Sequence, residues 1–316
     1  MSVQPDLTLT EARAIMDRAI EKTRRFKLAG SLAIMDLGAN MVCLSRMGTA
    51  PATVWIARAK AYLTAARRIP LTGTSARMHA RPFNNPNWQR MAQEPIFPGE
   101  GGLLIEKEGR PVGVIATGAG IGPFDEIAGV DPSEFELDGV RGNAEDVVLA
   151  YALQIPYTNE HTRTTDRPSR EGPLRGRPVY EHIDDLPHTL EVARRHADRA
   201  VELAEQRRFA LGVVVVDDMG LVMQMDRMDG APPASPDVAE ARAATALVFQ
   251  RPTLEVTTTI GHDQVARVAD IVHFKILAGG GGAPILRDGQ VVGAVGVFGA
   301  IGDEEADALA RAAAGA

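Results

Sequence analysis

The chain carries nearly the same segment twice. Leu-Thr-Glu-Ala-Arg (9–13), Asp-Arg-Ala-Ile-Glu (17–21), Ala-Ile-Met-Asp (33–36), Ser-Arg-Met-Gly (45–48) and Glu-Gly-Arg-Pro-Val-Gly-Val (108–114) form the first copy. The second reads Leu-Glu-Val-Ala-Arg (190–194), Asp-Arg-Ala-Val-Glu (198–202), Val-Val-Val-Asp (214–217), Asp-Arg-Met-Asp-Gly (226–230) and Asp-Gly-Gln-Val-Val-Gly-Ala (288–294). The offset stays near about 181 residues, shifting as indels in surface loops would shift it. That period is too long for a solenoid and matches one small domain per copy. Any fold proposed for the chain must therefore be built twice.

The 316 residues suffice for two domains with real cores. We expect a first domain over 1–156, a Pro- and Arg-rich linker over 157–187 and a second domain over 188–316. Within each copy the order reads helix, hairpin, helix, hairpin, helix. Thr8 and Glu11 form a capping box before an amphipathic helix over 8–26, repeated at 189–209. A hairpin follows, turning at 37–40 and again at 218–220. Ala-rich helices over 52–68 and 237–249 end before Pro70 and Pro252. Ala59-Lys60-Ala61 aligns there with Ala241-Arg242-Ala243. A Gly-rich stretch then leads into a second hairpin, turning at Glu108-Gly109 and Asp288-Gly289. The fold class is α+β, with antiparallel strands and helices packed on the sheet; paired hairpins break the order a doubly wound sheet needs.

Charge and composition narrow the function. A net charge of −7 and 5% aromatic residues give no electrostatic or stacking footprint for nucleic acid. Cys43 is the single cysteine, so no intramolecular disulfide or thiolate metal cluster can form; mid-strand, it reads as a buried inert thiol. No apolar run reaches the roughly 18 residues of a membrane-spanning helix, and the cytoplasm is the expected location. His-Glu-x-x-His, Gly-x-Ser-x-Gly and Walker sequences are missing.

Candidate site residues come from what the copies share. Gly101 and Gly102 match Gly281 and Gly282. A strand follows them where a dinucleotide fingerprint needs a helix, which leaves a tight strand entry needing positive φ, or a nest of N–H groups holding a carboxylate. Arg46 and Arg227 end apolar strand faces, where a cation needs either a protein carboxylate or a ligand anion. Asp36 and Asp217 sit at turns, about 16 Å along the hairpin from the arginine, and suit turn N–H groups. His79 and His262, aligned with one gap, lie in irregular segments before the glycines, and can serve as acid, base or axial ligand or lie on the surface. His196 replaces Ile15 at an apolar helical position, facing the core or a ligand.

With these residues laid out, both halves resemble the GlcG/HbpS family, a group of small haem-binding-type proteins that includes the C-terminal domain of some PduO proteins. The resemblance covers about 130 residues of each half. It rests on the opening helix, Asp36-Leu-Gly and Val216-Asp-Asp-Met-Gly220, Arg227-Met-Asp-Gly-Ala231, the Ala-Lys/Arg-Ala helix, Arg251-Pro-Thr253, the Gly-Gly pair and Asp288-Gly-Gln-Val-Val-Gly-Ala-Val-Gly296. It implies profilin-like domains, each an antiparallel sheet of roughly five strands flanked by helices. It also implies assembly into homo-oligomers, haem binding in some members and a place in catabolism for others. The family's Ser-Gly-Gly-Thr-Pro run is altered here to Gly118-Ala-Gly-Ile121-Gly and Phe298-Gly-Ala-Ile301-Gly. The cofactor stays open: haem is the family's candidate, and its iron would need His79, His262 or His196 as substitute ligands. Two functions follow. One is a small-molecule binding protein for haem or another planar anionic ligand. The other is a cofactor-free isomerase, hydratase or hydrolase of a small acid or oxidised aromatic, with histidine as acid/base and arginine holding the anion.

Overall fold

The structure is a computed structural model, and it describes residues 6–25, 30–48, 52–71, 95–118, 136–137, 140–141, 144–155, 190–272 and 274–315. The chain is α+β with antiparallel strand pairing. It divides into two compact units that are not contiguous in sequence. The N-terminal unit holds Thr10–Asn40 and Met47–Glu181; the C-terminal unit holds Met1–Leu9, Met41–Arg46 and His182–Ala316.

In the first copy the elements are α1 (Leu9–Arg25), β1 (Gly30–Asp36), β2 (Met41–Met47), α2 (Ala52–Arg67), β3 (Gly102–Lys107), β4 (Arg110–Thr117), the short ladder β5 (Glu136–Leu137) with β6 (Val140–Arg141), and α3 (Ala144–Leu153). The second copy has α4 (Leu190–Gln206), β7 (Leu211–Asp217), β8 (Val222–Arg227), α5 (Ser235–Phe249), α6 (Thr253–Ile260), α7 (His262–Ala269), β9 (Gly282–Arg287), β10 (Gln290–Gly299) and α8 (Asp303–Ala314).

The N-terminal unit pairs β3 with β4 and β4 with β1. Helix α2 packs on β1 and β4, and α3 on β3. Ala12, Met16, Ala19 and Ile20 recur at helical spacing on α1 and are buried. Its polar side reaches α3, where Arg18 Nε donates to the Ala152 carbonyl at 2.6 Å.

The C-terminal unit orders its strands β2-β8-β7-β10-β9, so a strand encoded in the first copy pairs with the second. Helix α5 packs on β7 and β10, while α4 and α8 pack on each other and on those strands. Val213 to Val216 are all fully buried, as they must be when helices cover both faces of a strand. Both distal hairpins turn through two residues at positive φ: Glu108 (52°) with Gly109 (73°), and Asp288 (52°) with Gly289 (78°). Such a pair matches the right-handed twist of its strands.

One expectation needs correction. His262 does not lie in an irregular segment; it opens α7, directly after α6. The β-branched run Thr257-Thr-Thr argues against helix on propensity. A tertiary contact overrides it: Thr257 Oγ1 accepts the Gly279 N–H at 2.8 Å, while donating within its own helix to the Thr253 carbonyl at 2.8 Å.

Candidate functional site

The turn aspartates behave as expected. Asp36 Oδ1 accepts N–H bonds from Gly38 and Asn40, at 2.9 and 3.0 Å. Asp217 Oδ1 accepts those of Met219 and Leu221, at 3.0 and 2.9 Å. Asp217 does more. Its other oxygen meets the Arg46 guanidinium, whose Nε donates to the Val222 carbonyl at 2.9 Å. Arg46 is 2% exposed, so the anion it needs is a protein carboxylate. Beside it, Ser45 Oγ donates to Gln224 Oε1 at 2.7 Å, and Gln224 Nε2 donates to Asp226 at 2.9 Å. Cys43 Sγ lies 3.3 Å from Asp226 in this buried row. Arg227 ends β8 half-buried, opposite Gly212.

The histidines separate. His79 lies outside the described residues. His262 is exposed. His196 is 3% exposed, with Nδ1 2.8 Å from the Ala313 carbonyl. A carbonyl only accepts, so Nδ1 carries the proton, and the ring satisfies one of the carbonyls left over at the end of α8. Burial lowers the His196 pKa, against the opposing pull of that bond, so the ring is held neutral.

The glycine stretches gather a different set of residues, equivalent in the two copies. A strand follows each stretch, as expected, and Gly101 (81°) and Gly281 (113°) have the positive φ that a strand entry of this kind requires. In the N-terminal unit, Lys60 on α2 reaches Glu145 on α3 at 2.6 Å, with the Phe97 ring centroid 5.8 Å from its Nζ. Gly101 N–H donates to Asp146 Oδ1 at 2.9 Å. Burial lifts the Glu145 carboxyl to about 7, against the opposing pull of Lys60.

In the C-terminal unit, Arg242 on α5 stands where Lys60 does. Its guanidinium lies 5.1 Å from the Phe298 ring and reaches Asp303, the first residue of α8, at 3.2 Å. A Cβ on Gly281 would come within 2.6 Å of the guanidinium, so only glycine lets the chain wrap it this closely. Arg242 is 7% exposed and its Nε has no partner. Burial lowers its pKa, with Asp303 opposing. Gly282 N–H donates to Thr253 Oγ1 at 2.8 Å.

Comparison with known proteins places this architecture. The profile of the HbpS-like family, described as "Haem degrading protein HbpS-like", matches residues 7–130 and 189–315. The chain belongs to the HbpS-like family. Both HbpS-like regions coincide with the two sequence copies. GlcG of Escherichia coli K12 is 30% identical over 96 residues, covering 30% of this chain and 69% of GlcG. A solved structure of HbpS is 36% identical over 41% of this chain and 89% of that one, with a TM-score of 0.38. A PduOC structure described as a heme complex is 26% identical over 38% of this chain and 88% of that one, with a TM-score of 0.35.

Sequence reasoning aligned Lys60 with Arg242 but did not see them as site residues. The signal was present: a long cation at a matching place in two Ala-rich helices, each helix followed by a glycine stretch. No helix among the described residues is long and apolar enough to cross a membrane.

Proposed function

We propose that this protein binds a small anionic molecule at the glycine-lined stretch of its C-terminal unit. The observation that carries the reading is Arg242: a guanidinium shut away from water, holding one half-exposed carboxylate, with Nε unmatched. A buried cation so thinly neutralised favours a further anion. The N-terminal unit meets the same need from within, through Lys60 and Glu145.

Family membership makes haem, or another planar anionic molecule, the first ligand to try. The described residues fit its carboxylates better than its iron. His196 commits Nδ1 to Ala313, His262 is exposed, and among the described residues no imidazole hydrogen-bonds to Arg242, Asp303 or the glycines. Haemin and iron-free protoporphyrin should therefore bind alike in an absorbance and fluorescence titration. Arg242→Met should weaken both about tenfold, as loss of a charged hydrogen bond does. Absence of saturable binding by either porphyrin, or full affinity in the variant, would overturn the reading.

A further inference from the structure

The two copies differ in how the glycine stretch is neutralised, and the difference names a ligand group. In the N-terminal unit two adjacent acids close the site: Glu145 takes the cation, and Asp146 takes the Gly101 N–H. In the C-terminal unit Ala306 meets Gly281 where Glu145 meets Gly101, and the next residue, Asp307, accepts from the Leu254 N–H and the Arg311 guanidinium instead. Asp303 alone faces Arg242, and its side chain is 50% exposed. Gly280 and Gly281 are buried residues, and their N–H groups make none of the hydrogen bonds found among the described residues. Buried amide donors are almost always paired. Two such donors and an unmatched Nε in one short stretch describe a place built for an acceptor with two oxygens.

We infer that a ligand carboxylate occupies, in the C-terminal unit, the place that the Glu145 carboxylate fills in the N-terminal one, held by Arg242 and the N–H groups of Gly280 and Gly281 once Asp303 swings out. The inference rests on the reading above that the ligand sits at this stretch. The chemistry favours a monoanion. Asp303, Glu304 and Glu305 crowd the first turn of α8, so a phosphate dianion meets more repulsion than a single carboxylate does. A guanidinium matches the two carboxylate oxygens in its plane. Phe298, half-buried against Arg242, and Leu277, 42% exposed just before the glycines, leave apolar surface for the rest of the molecule. The ligand class is thus a small alkyl or aryl monocarboxylic acid.

The full chain, labelled with 15N-glycine, can be titrated with acetate, benzoate and inorganic phosphate. Benzoate should shift the Gly280 and Gly281 amide resonances saturably and more tightly than acetate, and phosphate should bind weakest. Asp303→Asn, at an exposed side chain, removes the internal competitor and should tighten benzoate binding by about fivefold or more. Arg242→Met should abolish the shifts, while Lys60→Met leaves them in place. Unmoved glycine amides, phosphate binding as tightly as benzoate, or an Asp303→Asn variant no tighter than the parent would each overturn the carboxylate assignment. Porphyrin binding that survives those results would leave the broader ligand reading standing, so the two fail separately.

Discussion

The two copies solve one electrostatic problem in opposite ways. Each buries a cation from an Ala-rich helix against a glycine stretch. The N-terminal copy neutralises it with a carboxylate as buried as itself: the Lys60 and Glu145 side chains are 4% and 5% exposed. The C-terminal copy leaves Arg242 facing a carboxylate in half-contact with water. A closed pair stabilises and excludes; a half-open one can exchange its acid for another. On the proposed reading, duplication lets one copy become scaffold while the other takes a ligand.

The contrast has consequences for stability. Lys60→Met should cost the N-terminal unit about 3 kcal/mol, because it strands a buried carboxylate. Arg242→Met should cost the C-terminal unit no more than about 1 kcal/mol, because its partner is exposed. Hydrogen exchange on peptides from each copy, read across a urea series, separates the two; equal losses would erase the distinction between them.

A smaller effect is the pH response. Glu145 is raised in the fold from 4.5 to about 7, so the folded unit holds a proton that the unfolded chain releases in that window. Stability of the N-terminal unit should be fully present below about 4.5 and should fall as pH rises towards 7, by up to about 1.4 kcal/mol per pH unit. Glu145→Gln should flatten that slope. His196 runs the other way: its pKa is lowered, so the C-terminal unit should lose stability as pH falls below the ordinary histidine value of 6.5. Slopes of the same sign in both units would contradict the assignment.

The smallest expected effect compares two hydroxyls. Ser31 and Thr53 share a buried hydrogen bond at 2.8 Å in the N-terminal unit. Gly212 and Ser235 take those positions in the C-terminal unit, and the Ser235 hydroxyl has no partner. Thr53→Ala should cost about 1 kcal/mol, whereas Ser235→Ala should change stability by less than about 0.5 kcal/mol, since it deletes an unmet donor. Thermal unfolding of the two variants checks the pair.

Much of the fold was readable from residues alone. Strict two-residue turns at Glu108-Gly109 and Asp288-Gly289 set hairpin registers, and helical spacing of Ala12, Ile15, Ala19 and Ile20 set a buried face. Asp36 and Asp217 were legible because their partners are local, within four residues. The glycine stretches were legible as strand entries because positive φ is a property of a single residue. Helix α6 was not, because its Thr257-Thr-Thr run is held by a distant partner, the Gly279 N–H.

What a chain declares directly is periodic or local: the repeat, the turns, the amphipathic faces, the family. Pairings across long separations are different in kind. Nothing near Arg46 in sequence announces Asp217, and nothing near Arg242 announces Asp303, because contacts separated by 171 and 61 residues are chosen by packing and not by spacing. The same is true of which copy holds its cation closed. That depends on which helix residue meets the glycines, Glu145 at Gly101 or Ala306 at Gly281. Such a choice is settled by neighbours brought together in folding, where desolvation makes one arrangement cheap and the other costly.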